Sequence, residues 1–240
     1  MFDFTGKTAL LTGAGRGIGR AIALGLAKGG ANLILCDINE EALKATGAEA
    51  AAYGVRVKTV CLDVADEAAV RAAVAAAIAE FGQVQILINN AGIYPVSDFV
   101  ESKSADWKRM IDINILGTMY TSHAILPHML EQGYGRIVNI GSVAGHYGLS
   151  WFVDYSMTKG AVIAFTRALA KAVTSKGVTV NCVSPGSIDV TGDEHMTEFS
   201  FVGRSGTPEE CANVVLFLAS DEASYVSGQE YLVDGCRRLM

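Results

Sequence analysis

Short, nearly continuous apolar runs alternate with longer stretches of helical period along the chain. The short runs are Thr8–Thr12, Asn32–Cys36, Val55–Cys61, Gln85–Asn89, Arg136–Ile140, Thr179–Val183 and Glu230–Val233. Most lack strict apolar–polar alternation, as expected of parallel strands buried on both faces. The longer stretches are Gly19–Lys28, Glu40–Ala52, Glu67–Phe81, Trp107–Leu130, Tyr155–Ser175 and Pro208–Leu218. The last has a clear start signal: Thr207 as N-cap, Pro208 in the first helical position and Glu210 completing a capping box. Asp66 is a similar cap before Glu67. Regular strand–helix alternation predicts an α/β fold, a doubly wound parallel sheet of about seven strands with helices on both faces. No linker interrupts it, so residues 1–240 read as a single domain. The patternless stretch 187–205 predicts a substrate loop, since long loops in such domains are more often binding lids than spacers.

Composition narrows the class. Hydrophobic residues make up 50% and charged residues 18% of 240, which excludes a disordered chain. Lys plus Arg number 19 against 25 Asp plus Glu, a net charge of −6, which argues against nucleic acid as a partner. No apolar run reaches the ~18 residues of a membrane span, and the N-terminal MFDFTGKTALLTG lacks the pattern of a signal peptide. Cys36, Cys61, Cys182, Cys211 and Cys236 are scattered with no CxxC pair, so the expectation is reduced thiols in a cytoplasmic protein. No closed set of His, Cys and carboxylates suggests a metal. His195 lies in an acidic loop that reads as solvated surface.

The first strand runs into Thr12-Gly13-Ala14-Gly15-Arg16-Gly17-Ile18-Gly19 and then a helix. Such a turn lets backbone approach a pyrophosphate at the positive end of the helix, so the fold reads as Rossmann-type. Asp37 ends the second strand, where a carboxylate accepts from adenosine ribose hydroxyls and repels a 2′-phosphate. Asp37 therefore argues for NAD over NADP, with Arg16 as the dissenting residue. Further along, Tyr155 and Lys159 are four apart and share a helix face. An ammonium beside the phenol is expected to lower its pKa toward the range where it can exchange protons. Ser142 closes the fifth strand, at the sheet edge where such folds bind ligands.

These motifs together resemble the short-chain dehydrogenase/reductase family over essentially the whole chain. They are TGAGRGIG at 12–19, Asp63 and Val64 in CLDV, Asn89-Asn90-Ala91-Gly92, Asn114 in DINILG, Ser142 in NIGSVAG, Tyr155-Ser-Met-Thr-Lys159 and Pro185-Gly186. The resemblance implies a catalytic set of Asn114, Ser142, Tyr155 and Lys159. It implies that Lys159 also binds the nicotinamide ribose and that Asn114 holds a water linking the lysine to solvent. Gly13, Arg16, Gly17, Ile18, Gly19, Asp37, Asp63, Val64, Asn90, Ala91, Gly92, Pro185, Gly186 and Ile188 would line the dinucleotide, with Asp63 near the adenine. The family usually carries a threonine five positions after this proline. Here Val190 stands there and Thr191 follows, which puts Thr191 in doubt as a ligand.

The resulting expectation is an NAD(H)-dependent oxidoreductase interconverting a secondary alcohol and its ketone. Tyr155 moves the proton, Ser142 holds the substrate oxygen, and Lys159 tunes Tyr155. Tyr94, His146, Tyr147, Trp151 and Phe152 would join Ser142 in the substrate pocket, compatible with a polyol, a cyclic alcohol or a small hydroxy compound. The alternatives are an NADPH-dependent 3-oxoacyl-thioester reductase and, less favoured, a non-catalytic dinucleotide-binding protein. Met110, Ile111, Ile113 and Ile115, with Val162, Ile163, Phe165 and Leu169, suggest helix faces left over for self-association. The resemblance implies a homotetramer, with a dimer as the fallback.

Overall fold

The structure, a computed structural model, describes residues 2–95, 98–190 and 199–237. The strands are β1 (Thr8–Thr12), β2 (Asn32–Asp37), β3 (Val57–Cys61), β4 (Ile86–Asn89), β5 (Gly135–Ile140), β6 (Val178–Pro185) and β7 (Glu230–Val233). They form one sheet in the order β3-β2-β1-β4-β5-β6-β7, with every neighbouring pair parallel. The chain reverses its winding between β1 and β4, and in such sheets ligands bind in the crevice beyond the strands' carboxyl ends at that point.

The helices are α1 (Gly17–Lys28), α2 (Glu40–Ala51), α3 (Glu67–Phe81), α4 (Ser104–Ile111), α5 (Gly117–Gln132), α6 (Val143–Tyr147), α7 (Val153–Val173) and α8 (Pro208–Ala219). Two apolar cores lie on opposite sheet faces. One joins Leu11, Leu33 and Val183 to Ile22 and Leu26 of α1 and Val215 of α8. The other joins Leu10, Ile34 and Ile137 to Val70 and Val74 of α3, Ile125 of α5 and Val173 of α7. Alternate residues of a strand serve alternate cores, which is why the strands read as unbroken apolar runs. The expected capping boxes and caps are present: Thr207 accepts from Glu210 N and Asp66 from Ala69 N.

One element departs from its sequence pattern. The single helix expected over Trp107–Leu130 is α4, a π-helical turn at Asp112–Leu116, and α5. The turn takes in an extra residue, as π turns do, and they tend to mark functional positions. Thr118 Oγ1 donates to the Asn114 carbonyl at 3.0 Å, and Thr121 Oγ1 to the Gly117 carbonyl at 2.9 Å. Gly117 is required here, because a Cβ would lie 2.7 Å from Val64 Cγ2. The altered phase also buries Met110 and Ile113 within this chain. The large apolar side chains exposed on α5 and α7 are Met119, Val153 and Met157.

The 187–205 loop is tied at both ends. Asp189 N and Gly206 N pair with the Gly206 and Ser187 carbonyls, while Phe201 N and Val202 N reach the Cys236 and Gly235 carbonyls. Thr191 and His195 lie outside the described residues.

Candidate active site

The glycine loop leaves β1 through Gly13 at φ +67° and enters α1 through Gly17 at φ +53°, conformations that side chains rarely adopt. Gly19 packs against the loop itself. The first-turn N–H groups of α1 have no intrahelical acceptor and carry the positive end of the helix, so the cradle fits a dinucleotide pyrophosphate. Val190 covers it, with Cγ1 3.1 Å from the point where a Cβ on Gly17 would stand. Arg16 is exposed at the N-cap of α1. Asp37 faces the loop: its Oδ2 accepts from Gly15 N at 2.8 Å and its Oδ1 from Asn39 N at 2.9 Å.

The Asn89–Gly92 segment closes the other side. Asn90 Nδ2 donates to the carbonyls of Thr12 and Gly13, while Thr12 Oγ1 accepts from the N–H groups of Asn90 and Ala91, all within 3.1 Å. Thr12 was passed over in the sequence although it opens the glycine motif. Asn89 reaches inward, bonding Ser122, Asn139 and Thr121 across the sheet. Asp63 binds Ala65 N through Oδ1 and Arg109 through Oδ2 at 2.7 Å. Its carboxyl is held low, with the Arg109 interaction and the Ala65 hydrogen bond outweighing the upward push of burial. Nothing in the sequence pairs Arg109 with Asp63. On the far side, Gly186 N bonds the Val233 carbonyl after Pro185, and Ile188 forms a bridge with Gly206.

Asn114, in the π turn, is buried. Its side chain pairs with both the N–H and the carbonyl of Ile93 at 2.9 Å and donates to Thr158 Oγ1 at 3.1 Å. It thereby joins the Gly92 loop to α7, where Thr158 and Lys159 adjoin. A Cβ on Gly92 would stand 3.4 Å from Lys159 Nζ.

Ser142 caps α6, its Oγ accepting from Ala144 N at 3.1 Å. Lys159 is buried, donates to the Ile140 carbonyl at 2.8 Å, and lies 5.8 Å from the centre of the Tyr155 ring. Burial pushes its ammonium down to about 8. Tyr155 corrects the sequence expectation: its phenol is pushed up, to about 12. Burial is the main cause, hydrogen bonding with Ser142 pulls the other way, and Tyr94 raises it further.

Tyr94 and Phe152 lie against Tyr155 with ring centres 6.0 and 5.6 Å away, and Trp151 meets Phe199 at 6.3 Å. Phe199 was not anticipated. His146 and Tyr147 form a separate edge-on pair at 4.6 Å, and His146 Nδ1 lies 3.1 Å from Glu230 Oε2.

Residues 7–199 match the family model for short chain dehydrogenases. The chain belongs to the short-chain dehydrogenase family. This short-chain dehydrogenase is 37% identical over 238 residues to a 3-oxoacyl-(acyl-carrier-protein) reductase of Thermotoga maritima, covering 96% of this chain and 97% of that one. It is 38% identical over 238 residues to a cyclohexanol dehydrogenase of an Acinetobacter species, covering 97% and 95%. A crystal structure of NAD+-bound xylitol dehydrogenase superposes with a TM-score of 0.93 at 32% identity, over 97% of this chain and 99% of that one. The family establishes an oxidoreductase that binds a nicotinamide dinucleotide and acts on a small molecule at a CH–OH centre. Among its described residues, no helix is long and apolar enough to cross a membrane.

Proposed function

We propose that the protein is an NAD(H)-dependent dehydrogenase of cyclic or otherwise apolar secondary alcohols, working reversibly with their ketones. The observation that carries the reading is the gathering of Ser142 and Tyr155 beside half-exposed aromatic rings, next to the glycine cradle. The Gly13–Gly19 loop, Asp37, the Asn90–Gly92 segment and the Pro185–Ile188 segment would hold the dinucleotide, which would supply or take the hydride.

The chain's own groups handle the proton. In reduction the Tyr155 phenol, kept protonated through the neutral range, gives its proton to the ketone oxygen. In oxidation the same oxygen, as phenolate, takes the alcohol proton, and the nearby Lys159 charge favours that form. The Ser142 hydroxyl holds the reacting oxygen against Tyr155. Asn114 fixes α7 against the Gly92 loop, and we assign it the water that would link Lys159 to solvent. Val190 covers the cradle, and on this side we give the dinucleotide contact to the Ile188 segment. Tyr94, Phe152, Trp151 and Phe199 offer apolar faces that suit a ring or alkyl substituent better than a polyol. We propose a cytoplasmic homotetramer, with a dimer as the fallback.

A second reading, an NADPH-dependent 3-oxoacyl-thioester reductase, draws on the Thermotoga relative. Asp37 at the ribose position weighs against it. The test is a panel of cyclohexanol and xylitol with NAD+ and NADP+, and acetoacetyl thioester with NADH and NADPH, read by absorbance. Fastest turnover of cyclohexanol with NAD+ supports the first reading. Fastest turnover of the thioester with NADPH replaces it with the second.

A further inference from the structure

Glu230 is an acidic residue at the head of an apolar strand, and its side chain is only 5% exposed. Its Oε1 accepts from Ser184 Oγ at 2.8 Å, and its Oε2 accepts from Arg167 at 3.0 Å and faces His146 Nδ1 at 3.1 Å. Four elements, β6, β7, α6 and α7, therefore meet on one carboxylate.

Two of those contacts bracket Ser142. On one side, Ser184 and its neighbour Cys182 press on the backbone just before the serine. A Cβ on Gly141 would lie 2.5 Å from Ser184 Oγ and 2.7 Å from Cys182 Sγ. On the other side, α6 begins at the Ser142 cap and carries His146 in its last turn. The same short helix is squeezed against the helix of Tyr155, since a Cβ on Gly145 would stand 2.5 Å from the Lys159 carbonyl carbon. Close packing at Gly141 and Gly145 ties α6 to β6 and α7, and the His146–Glu230 contact holds its far end.

We propose that Glu230 is a positioning residue for Ser142, holding the strand end through Ser184 and the helix end through His146. The inference rests on the role given to Ser142 above. A buried carboxylate carries a desolvation penalty that an apolar residue would avoid, and specifying one geometry is the best-attested use of such groups. Arg167 keeps the carboxylate paired whatever the state of His146. Displacing Ser142 by a fraction of an ångström misaligns the substrate oxygen with Tyr155, while the Gly13–Gly19 loop and Asp37 lie across the sheet's switch point from Glu230.

The test is a double-mutant cycle on the full chain, with the panel alcohol turned over fastest and with NADH binding followed by fluorescence. Glu230→Ala is expected to lower kcat by ~10- to 100-fold, the effect of a small misplacement. NADH affinity should fall far less than kcat, because the Gly13–Gly19 loop and Asp37 are remote from Glu230 and only the Pro185–Ile188 segment adjoins Ser184. Glu230→Gln, which still accepts from Ser184, should recover most of the rate. In a Ser142→Ala background, Glu230→Ala should cost nothing further. Wild-type kcat in Glu230→Ala, or an equal loss in both backgrounds, would overturn the proposal. Wild-type kcat in Ser142→Ala alone would instead overturn the role of Ser142, and this inference with it. Should Glu230→Ala not fold, His146→Ala removes a half-exposed ring and decides in its place, with the same expected and overturning results.

Discussion

Gly19 and Gly13 approach so closely that a Cβ on Gly19 would lie 1.9 Å from the Gly13 carbonyl oxygen. No rotamer relieves that overlap, since the clash is with backbone and the same oxygen accepts from Asn90 Nδ2 at 2.8 Å. The start of α1 would have to lift off β1. Gly19→Ala should therefore cost ~1–3 kcal/mol of stability, as overpacking does. NADH affinity should fall by at least ~10-fold, because the N–H cradle is displaced. Thermal unfolding and NADH titration measure the two effects, and a variant with wild-type values for both would show that the loop tolerates the methyl.

Tyr155→Phe keeps the ring contacts with Tyr94 and Phe152 and removes only the hydroxyl. Turnover should fall by ~10²–10⁴-fold, the usual contribution of general acid–base catalysis. NADH binding should be nearly intact. A variant retaining more than a tenth of the wild-type rate would remove Tyr155 from the proton transfer.

The raised Tyr155 phenol predicts different pH behaviour for the two directions. Tyr155, pushed up to about 12, is protonated across the neutral range, so ketone reduction should be flat from pH 6 to 8. Alcohol oxidation needs the phenolate and should rise with pH. Stability has its own signature through Lys159, whose pKa is lowered from 10.5 to about 8. Between those values the unfolded chain binds the proton and the folded chain does not, so Lys159 adds stability as pH rises from about 8 toward 10, against the buried thiols of Cys36, Cys182 and Cys211, which are pushed up and subtract it above pH 9. Lys159→Met should therefore lose more stability than the wild type between pH 8 and pH 10. Thermal unfolding at pH 8 and pH 10 of both proteins decides it, and parallel curves would mean that Lys159 is not depressed.

The strands were legible because burial on both faces leaves a run of apolar residues that little else produces. Ser142, Tyr155 and the glycine loop were legible because their chemistry demands particular residue types at strand ends and helix starts. The π turn at Asp112–Leu116 was not, since periodicity registers apolar positions and not one extra residue within a turn. Nor did the sequence say which of the apolar residues named on the two helices face the core: Met110, Ile113, Val162 and Ile163 are buried. The direction of the Tyr155 shift also escaped the sequence. Spacing puts Lys159 on the same helix face, but only the fold shows how deeply the Tyr155 phenol is buried. His146, adjacent in sequence to the pocket, is drawn to Glu230 from 84 residues away.

Asp37 holds Gly15 N and Asn39 N, so its carboxylate stands fixed at the mouth of the glycine loop. A 2′-phosphate arriving there meets a like charge. We expect wild-type kcat/KM to favour NAD over NADP, and Asp37→Ala to narrow the preference by at least ~10-fold, about 1.4 kcal/mol. Placing an arginine at Ile38, which is exposed beside it, in the same variant should reverse the preference. A wild type that prefers NADPH would mean that Arg16 outweighs Asp37.

Assembly follows from the faces that remain. Met119 on α5 and Val153 and Met157 on α7 are 42%, 42% and 49% exposed, large apolar groups that the chain's own core leaves uncovered. Copies of α5 and α7 packing across a two-fold axis would cover them, and a second two-fold contact through β7 and the C-terminal segment would generate D₂ symmetry. Such a contact would also stiffen α7, which carries Tyr155 and Lys159. Light scattering at micromolar concentration should therefore give a tetramer. Met119→Glu, which sets like charges face to face in a symmetric contact, should lower the mass and lower kcat together while leaving the monomer folded by circular dichroism. A wild type that is a fully active monomer at that concentration would refute the assembly, and a Met119→Glu variant of unchanged mass would move the interface to another face.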